Sequence, residues 1–159
     1  MVNRLIDILE QEVTSYIELI TLLQDEKRLL ANRRNDELYQ LVGRIESLAF
    51  KIRGLEDVCN NIAEQLLVSY NLPDKDIKKV NLSRVIEIIG VPHNELLKGL
   101  QSKLLALVEG VKELNQENRV IINRGIENIN TAIMFLKDFS AFETYKPTGK
   151  MNSSYSMGV

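Results

Sequence analysis

Apolar residues recur at alternating steps of four and three through most of this chain, and that spacing limits what it can fold into more than anything else in the sequence. The first series runs Val2, Ile6, Leu9, Val13, Tyr16, Ile20, Leu23 and, past Lys27, Leu30. A seven-residue repeat held for about four heptads is the mark of a helix packed lengthwise on another helix. Leu5, Ile8, Ile17, Leu19 and Leu22 widen the stripe beyond a two-position seam, as a helix touching two neighbours requires.

The polar run Asn32-Arg33-Arg34-Asn35-Asp36 breaks the pattern and suits a turn between antiparallel neighbours, with Asn35 or Asp36 as the expected cap of the next helix. The spacing then resumes through Leu38, Leu41, Ile45, Leu48, Ile52, Leu55, Cys59, Ile62, Leu66 and Ser69. The first two helices should therefore form an antiparallel hairpin with arms of about 45 to 50 Å. Gly43 and Gly54 lie off the seam, where each costs roughly 1 kcal/mol relative to alanine. They either admit another helix or soften the arm, and the sequence leaves both readings open.

Asn71-Leu72-Pro73-Asp74 is a turn, Ile77-Lys78-Lys79-Val80 is ambiguous, and Asn81 to Gly90 reads as a short capped helix closed by glycine, covering the end of the hairpin. Val91-Pro92-His93-Asn94-Glu95 restarts a helix, and Pro73, Pro92 and Pro147 all fall at joints. The last seam is Leu97, Leu100, Leu104, Leu107, Val111 and Leu114, continuing on the same spacing through Asn118, Ile121, Gly125, Asn128, Ala132 and Phe135. From Leu114 the strongest apolar line shifts to Ile122, Ile126, Ile129, Ile133 and Leu136, because Leu114, Asn118 and Ile122 insert an extra step of four. With Val120, Ile121, Met134 and Phe135 added, this end is apolar around more of its circumference than one hairpin can cover.

The expected fold is all-α: a coiled-coil bundle built on the antiparallel hairpin, with three long helices and a short connector helix. The expected bounds are one domain over residues 1–142, with helices at about 2–31, 36–70, 82–89 and 93–142, and a flexible tail over 143–159 carrying Pro147, Gly149, Ser153 and Ser154.

The charge of -2, from 20 basic and 22 acidic residues spread along the chain, gives no footprint for tracking phosphates, so nucleic acid is excluded as a partner. No apolar run reaches the roughly 20 residues that span a bilayer, and the N-terminus enters an amphipathic pattern directly. A cytoplasmic protein without membrane insertion is expected. The single cysteine, Cys59, falls at an apolar helix position and reads as core. His93 sits beside a proline at a helix start, with no Glu-x-x-His spacing to make it a metal ligand, and reads as an exposed turn residue. Glu10, Asp25, Glu46 and Glu56 fall where a solvated helix face would put them, and no glycine-rich loop follows a strand. No catalytic residue, metal or cofactor is expected.

What remains is binding through apolar helix surface. Asn115, Asn118, Asn123, Asn128 and Asn130 are dense for a helix interior, where asparagine is a poor helix former. Asn118 either fixes helix register from within a seam or hydrogen-bonds a docked helix that the isoleucines grip.

The run Leu114-Asn115-Gln116-Glu117-Asn118, then Ile121-Ile122, the spaced apolar positions to Leu136, and Glu143-Thr144-Tyr145-Lys146-Pro147-Thr148-Gly149 resemble the C-terminal half of the FlgN-type flagellar export chaperones. The first arm, with Leu9, Tyr16, Ile20, Leu23 and Lys27-Arg28-Leu29-Leu30, looks like that family's opening helix. The specific parts are the Leu-Asn-x-x-Asn block and the Tyr-x-x-x-Gly tail. The resemblance implies a cytosolic type III export chaperone that binds the C-terminal helical segments of flagellar hook-associated proteins, prevents their premature assembly and delivers them to the export gate. It implies a client site at Leu114, Asn115, Asn118, Ile122, Ile126, Ile129, Ile133 and Leu136, and export-gate docking at Tyr145. The competing readings are a structural coiled-coil protein acting by self-association, with a weak homo-oligomer left open, and a chaperone or adaptor for another secretion substrate.

Overall fold

Thirty residues free of proline and glycine, Val2–Ala31, form α1, and thirty-five residues that include Gly43 and Gly54, Asn35–Ser69, form α2. The short α3 covers Leu82–Ile88, and α4 runs fifty-two residues from His93–Thr144. The computed structural model describes residues 1–70 and 81–144, and every element in them is a helix. The all-helical class expected from the spacing is borne out. Expectations placed on residues 71–80 and on the tail from Tyr145, including its disorder, lie outside the described residues.

The turn between α1 and α2 takes three residues. Arg33 adopts φ 55°, and the N–H groups of Arg33 and Arg34 donate to the carbonyls of Leu30 and Leu29 at 3.4 and 3.2 Å. This is a Schellman closure, which satisfies helix-end carbonyls but asks for glycine at the left-handed position. Arginine there carries a steric cost on the order of 1 kcal/mol. Arg33→Gly is expected to raise stability by roughly 0.5–1 kcal/mol in chemical denaturation, with helix content unchanged. The cap expected from Asn35 or Asp36 is not formed: Arg34 occupies the cap position, and its side chain pairs with Glu37 at 2.9 Å without capping the helix N–H groups. Asn35 is already helical, and Asp36 and Glu37 meet the helix dipole in the first turn instead.

The chain divides into two units at Asn118, with α4 contributing to both. In the first, Met1–Asn118, two apolar clusters follow one another along the helices. One joins Leu5, Leu9 and Val13 of α1 to Ile62, Leu66 and Leu67 of α2, Val85 and Ile86 of α3, and Leu97 and Leu100 of α4. The other joins Leu19, Leu22, Leu23 and Leu29 to Leu41, Leu48 and Ile52, with Val111 and Leu114 against it. The start of α1 thus meets the end of α2, which is the antiparallel hairpin, while the start of α4 meets the start of α1. α3 is capped by Asn81, whose side chain accepts from the Arg84 N–H at 2.8 Å, and its buried face covers the end of the hairpin as expected.

The close approach of helices falls at a glycine outside the pair that sequence left open. Gly43 and Gly54 have nothing within 4 Å of where a Cβ would stand, whereas at Gly110 the Ile20 Cδ1 lies 3.4 Å away. Gly110 is where α4 comes close to α1, and among the described residues the two α2 glycines admit no close neighbour.

The hairpin interior also holds polar groups. Glu12 and Ser15 are 5% and 1% exposed, and Glu12 Oε1 and Ser15 Oγ have no hydrogen-bond partner. The Tyr16 hydroxyl donates to Glu56 Oε1 at 2.8 Å across the α1–α2 contact. Glu56 therefore belongs to the helix interface and not to the solvated face assigned from its spacing, because a phenol on the neighbouring helix reaches it. Burial, and then the Glu56 charge, pushes the Glu12 carboxyl up to about 7, and burial together with the Glu56 bond raises the Tyr16 phenol. Cys59 is buried and its thiol is pushed up to about 12, first by burial, so it stays unreactive, as its apolar position implied.

A carboxyl whose folded value exceeds its unfolded one holds its proton better in the native state, so stability falls as pH climbs between the two values. For Glu12 the window runs from the ordinary value of 4.5 to about 7. Glu12→Gln removes the ionisation while keeping the shape. It is expected to match the parent below pH 4.5 and to exceed it at pH 8 by on the order of 2 kcal/mol, read as a flatter dependence of melting temperature on pH.

Candidate functional surface on the last helix

Up to Asn118, α4 behaves as a bundle helix. Leu97 and Leu100 are buried, Leu104 and Leu107 pack against the first cluster, and Val111 and Leu114 against the second. Asn118 closes this unit. It is 2% exposed, and its Nδ2 donates to the Leu23 carbonyl at 3.0 Å and to Glu26 Oε2 at 2.7 Å, both on α1. Its Oδ1 is buried without a partner. An amide in an apolar seam that bonds a backbone carbonyl of the facing helix fixes register, since any axial slip leaves the buried amide without its acceptors. Beside it, Lys27 Nζ and Glu117 Oε2 are 2.8 Å apart. That pair is half-exposed and adds orientation more than energy.

In the second unit, among the described side chains, the situation reverses. Every residue from Arg119 to Phe139 except the half-buried Ile121 is exposed. Ile122, Ile126, Ile129, Ile133 and Leu136 lie in steps of four and three, so they share one face, and all five are exposed. Val120, Met134, Phe135 and Phe139, also exposed, lie roughly 120° to 260° around the helix from that stripe. This stretch presents apolar groups on both sides. A helix that is apolar all round normally lies inside a protein.

The residues assigned to a client site therefore divide. Ile122, Ile126, Ile129, Ile133 and Leu136 form one exposed stripe, and Asn115 is exposed. Leu114 is half-buried against the second cluster, and the Asn118 amide is engaged by α1. Of the two readings of Asn118, the register role is the one its geometry performs. Asn123, Asn128 and Asn130 are exposed, and Tyr145 lies outside the described residues. Spacing alone placed Tyr16 in the seam but missed Glu12, Ser15 and Glu56 around it. The available signal was the parallel series Leu5, Leu9, Glu12, Tyr16, Leu19, Leu23, which carries Glu12 at a seam position.

Concave chemistry is sparse. The depressions beside α1 and α2 are open, one lined by the polar side chains of Asp7, Glu10, Gln11, Thr14 and Lys51 and the next by a mixture that includes Glu18, Gln40, Arg44 and Ser47 with Leu22 and Leu48. His93, expected in an exposed turn, is instead the half-buried first residue of α4. Among the described residues, no three His, Cys, Asp or Glu side chains are grouped to hold a metal ion, and no helix is long and apolar enough to cross a membrane.

Comparison with known proteins returned no match among curated proteins or solved structures. One family matches, described as FlgN protein, over residues 1–153. That span takes in the hairpin, the short helix and the exposed apolar stretch of α4, and the chain belongs to the FlgN family of flagellar export chaperones.

Proposed function

We propose that this chaperone acts in the cytosol on flagellar hook-associated proteins, holding their C-terminal helical segments on α4 until they are delivered to the type III export gate. The observation that carries the reading is the exposed stripe Ile122, Ile126, Ile129, Ile133 and Leu136, with a second apolar flank at Met134, Phe135 and Phe139. An amphipathic helix laid along the stripe would meet anchors at the spacing helix-in-groove recognition uses. The second flank gives room for another turn or segment of the same client. Burying on the order of 800 Å² on each side makes a standard-sized interface.

Just before this stretch in sequence, Asn115 is exposed, Leu114 packs against the second cluster and Asn118 is bonded to α1. A client helix so held has its own assembly surface covered, and release needs only a competing partner. In this reading Tyr145 is the export-gate contact and takes no part in client binding.

The test is a chain ending at Asn118. It keeps both apolar clusters and is expected to fold, yet to lose co-purification with a hook-associated protein carrying its C-terminal segment. Undiminished capture by the shortened chain would sink the proposal. Tyr145→Ala, in contrast, is expected to bind client as the parent does and to lower its export in a secretion assay.

A further inference from the structure

Tyr39 and Phe50, both on α2, are 85% and 79% exposed, the two most exposed large apolar side chains among the described residues. One such ring on a surface needs no explanation. These two repeat a pattern: Tyr39-Gln40-Leu41-Val42-Gly43 and Phe50-Lys51-Ile52-Arg53-Gly54 each place an aromatic ring, then a buried aliphatic residue, then a glycine. The repeat is eleven residues, close to three helical turns, so the rings stand within roughly 20° of one another. Leu41 and Ile52, about 200° from their rings, are in the core. The rings thus lie on the face of α2 turned away from the hairpin interior.

The glycines give a second, independent sign. Each lies one turn beyond its ring on the same face, and neither has any atom within 4 Å of a Cβ position. Together they cost on the order of 2 kcal/mol in helix propensity relative to alanine, with nothing among the described residues using the space they leave. A surface of alternating rings and gaps fits a surface of rings and gaps.

We propose that this outer face of α2 is a self-recognition surface, on which the α2 of a second copy docks antiparallel about a two-fold axis passing between Glu46 and Ser47. In that arrangement Tyr39 of each copy faces Gly54 of the other, and Phe50 faces Gly43, so all four rings fill gaps at once. A parallel pairing shifted by one turn would also set rings over glycines, but the copies would be inequivalent and the contact would not close. Each ring can bury about 150–200 Å², which gives roughly 600–800 Å² from the four rings and about 1,000 Å² with their neighbours. That is the lower limit for a specific interface, so the product is a weak dimer that dissociates at micromolar or higher concentration. The charges add to the weakness: the two Glu46 side chains approach across the axis, and Asp36 comes opposite Asp57. Screening should therefore tighten the dimer, the reverse of an association driven by ion pairs.

Sedimentation equilibrium of the full chain, from about 10 µM to about 1 mM, is expected to move the apparent mass from 18.2 kDa toward twice that value. Added salt and Glu46→Gln are each expected to strengthen association severalfold. The paired change Gly43→Leu with Gly54→Leu fills the gaps while improving helix propensity, so it should weaken association at least about 10-fold without loss of helix. Tyr39→Ala with Phe50→Ala should do the same. With oxidised glutathione, Ser47→Cys beside the axis should give a disulfide-linked dimer, whereas Glu64→Cys, exposed on the same face but far from the axis, should not. The buried Cys59 leaves the background low. A chain that stays at 18.2 kDa throughout, association that survives both paired variants, or equal crosslinking of the Ser47→Cys and Glu64→Cys chains would each overturn the proposal.

Discussion

Replacing Ile126 and Ile133 together by aspartate is expected to weaken binding of a hook-associated C-terminal helix by about 10²-fold or more while leaving the unfolding of the bundle where it was. The two side chains are 51% and 40% exposed in the free chain. Removing them therefore takes nothing from either apolar cluster, and the direct cost is a few tenths of a kcal/mol each in helix propensity. In a complex the same side chains would be desolvated. Losing each costs roughly 1.5–3 kcal/mol of transfer free energy, and each aspartate adds the penalty of a carboxylate set against an apolar partner. At 1.4 kcal/mol per decade, the two together exceed a factor of 10². Calorimetric titration with the client segment measures the affinity, and circular dichroism checks the fold. Affinity within a factor of about three of the parent would remove this face of α4 from the client site.

Leu97→Ala is expected to be the most damaging conservative change in the same helix, lowering the unfolding free energy by about 3 kcal/mol. Leu97 is 0% exposed and lies in the cluster where α1, α2, α3 and α4 all contribute, with Leu5, Leu67, Val85 and Ile86. Four elements share that space, so none can move in to fill a cavity without disturbing the other three. In a chain of this length the loss corresponds to a melting temperature lower by roughly 6–12 °C. Leu105→Ala, at a side chain 66% exposed on the same helix, is the control and should stay within about 0.5 kcal/mol of the parent. The contrast between the two leucines measures how far packing, and not helix propensity, holds the first part of α4.

The helical class, the antiparallel hairpin and the short covering helix were legible because each is written in local terms: a period, a cap, a proline at a joint. The division of α4 was legible for the same reason. A seam that shifts phase at Leu114, Asn118 and Ile122 cannot stay on one neighbour, and the change from buried to exposed falls at Asn118. The hairpin's polar interior was not legible. Two overlapping heptad series run through α1, one through Val2, Ile6 and Val13 and the other through Leu5, Glu12 and Leu19, and they share Leu9, Tyr16 and Leu23. Period alone gives no reason to prefer the column containing a carboxylate. Only the packing of the other helices on α1 buries members of both columns, and with them Glu12 and Ser15.

Sequence by itself thus determined the family, the helical class and the existence of an apolar surplus at the end of α4, since these depend on residue types and spacings along one chain. The tertiary structure decided how individual polar residues are used. It bonded the Asn118 amide to the Leu23 carbonyl, moved Glu56 into the hairpin contact, and left Gly43 and Gly54 open beside their rings while Gly110 took the close approach. The physical reason is common to all of them. Spacing tells which residues share a face, but whether that face meets a helix or water depends on distances between segments far apart in sequence, and a polar group's role is set by what stands opposite it.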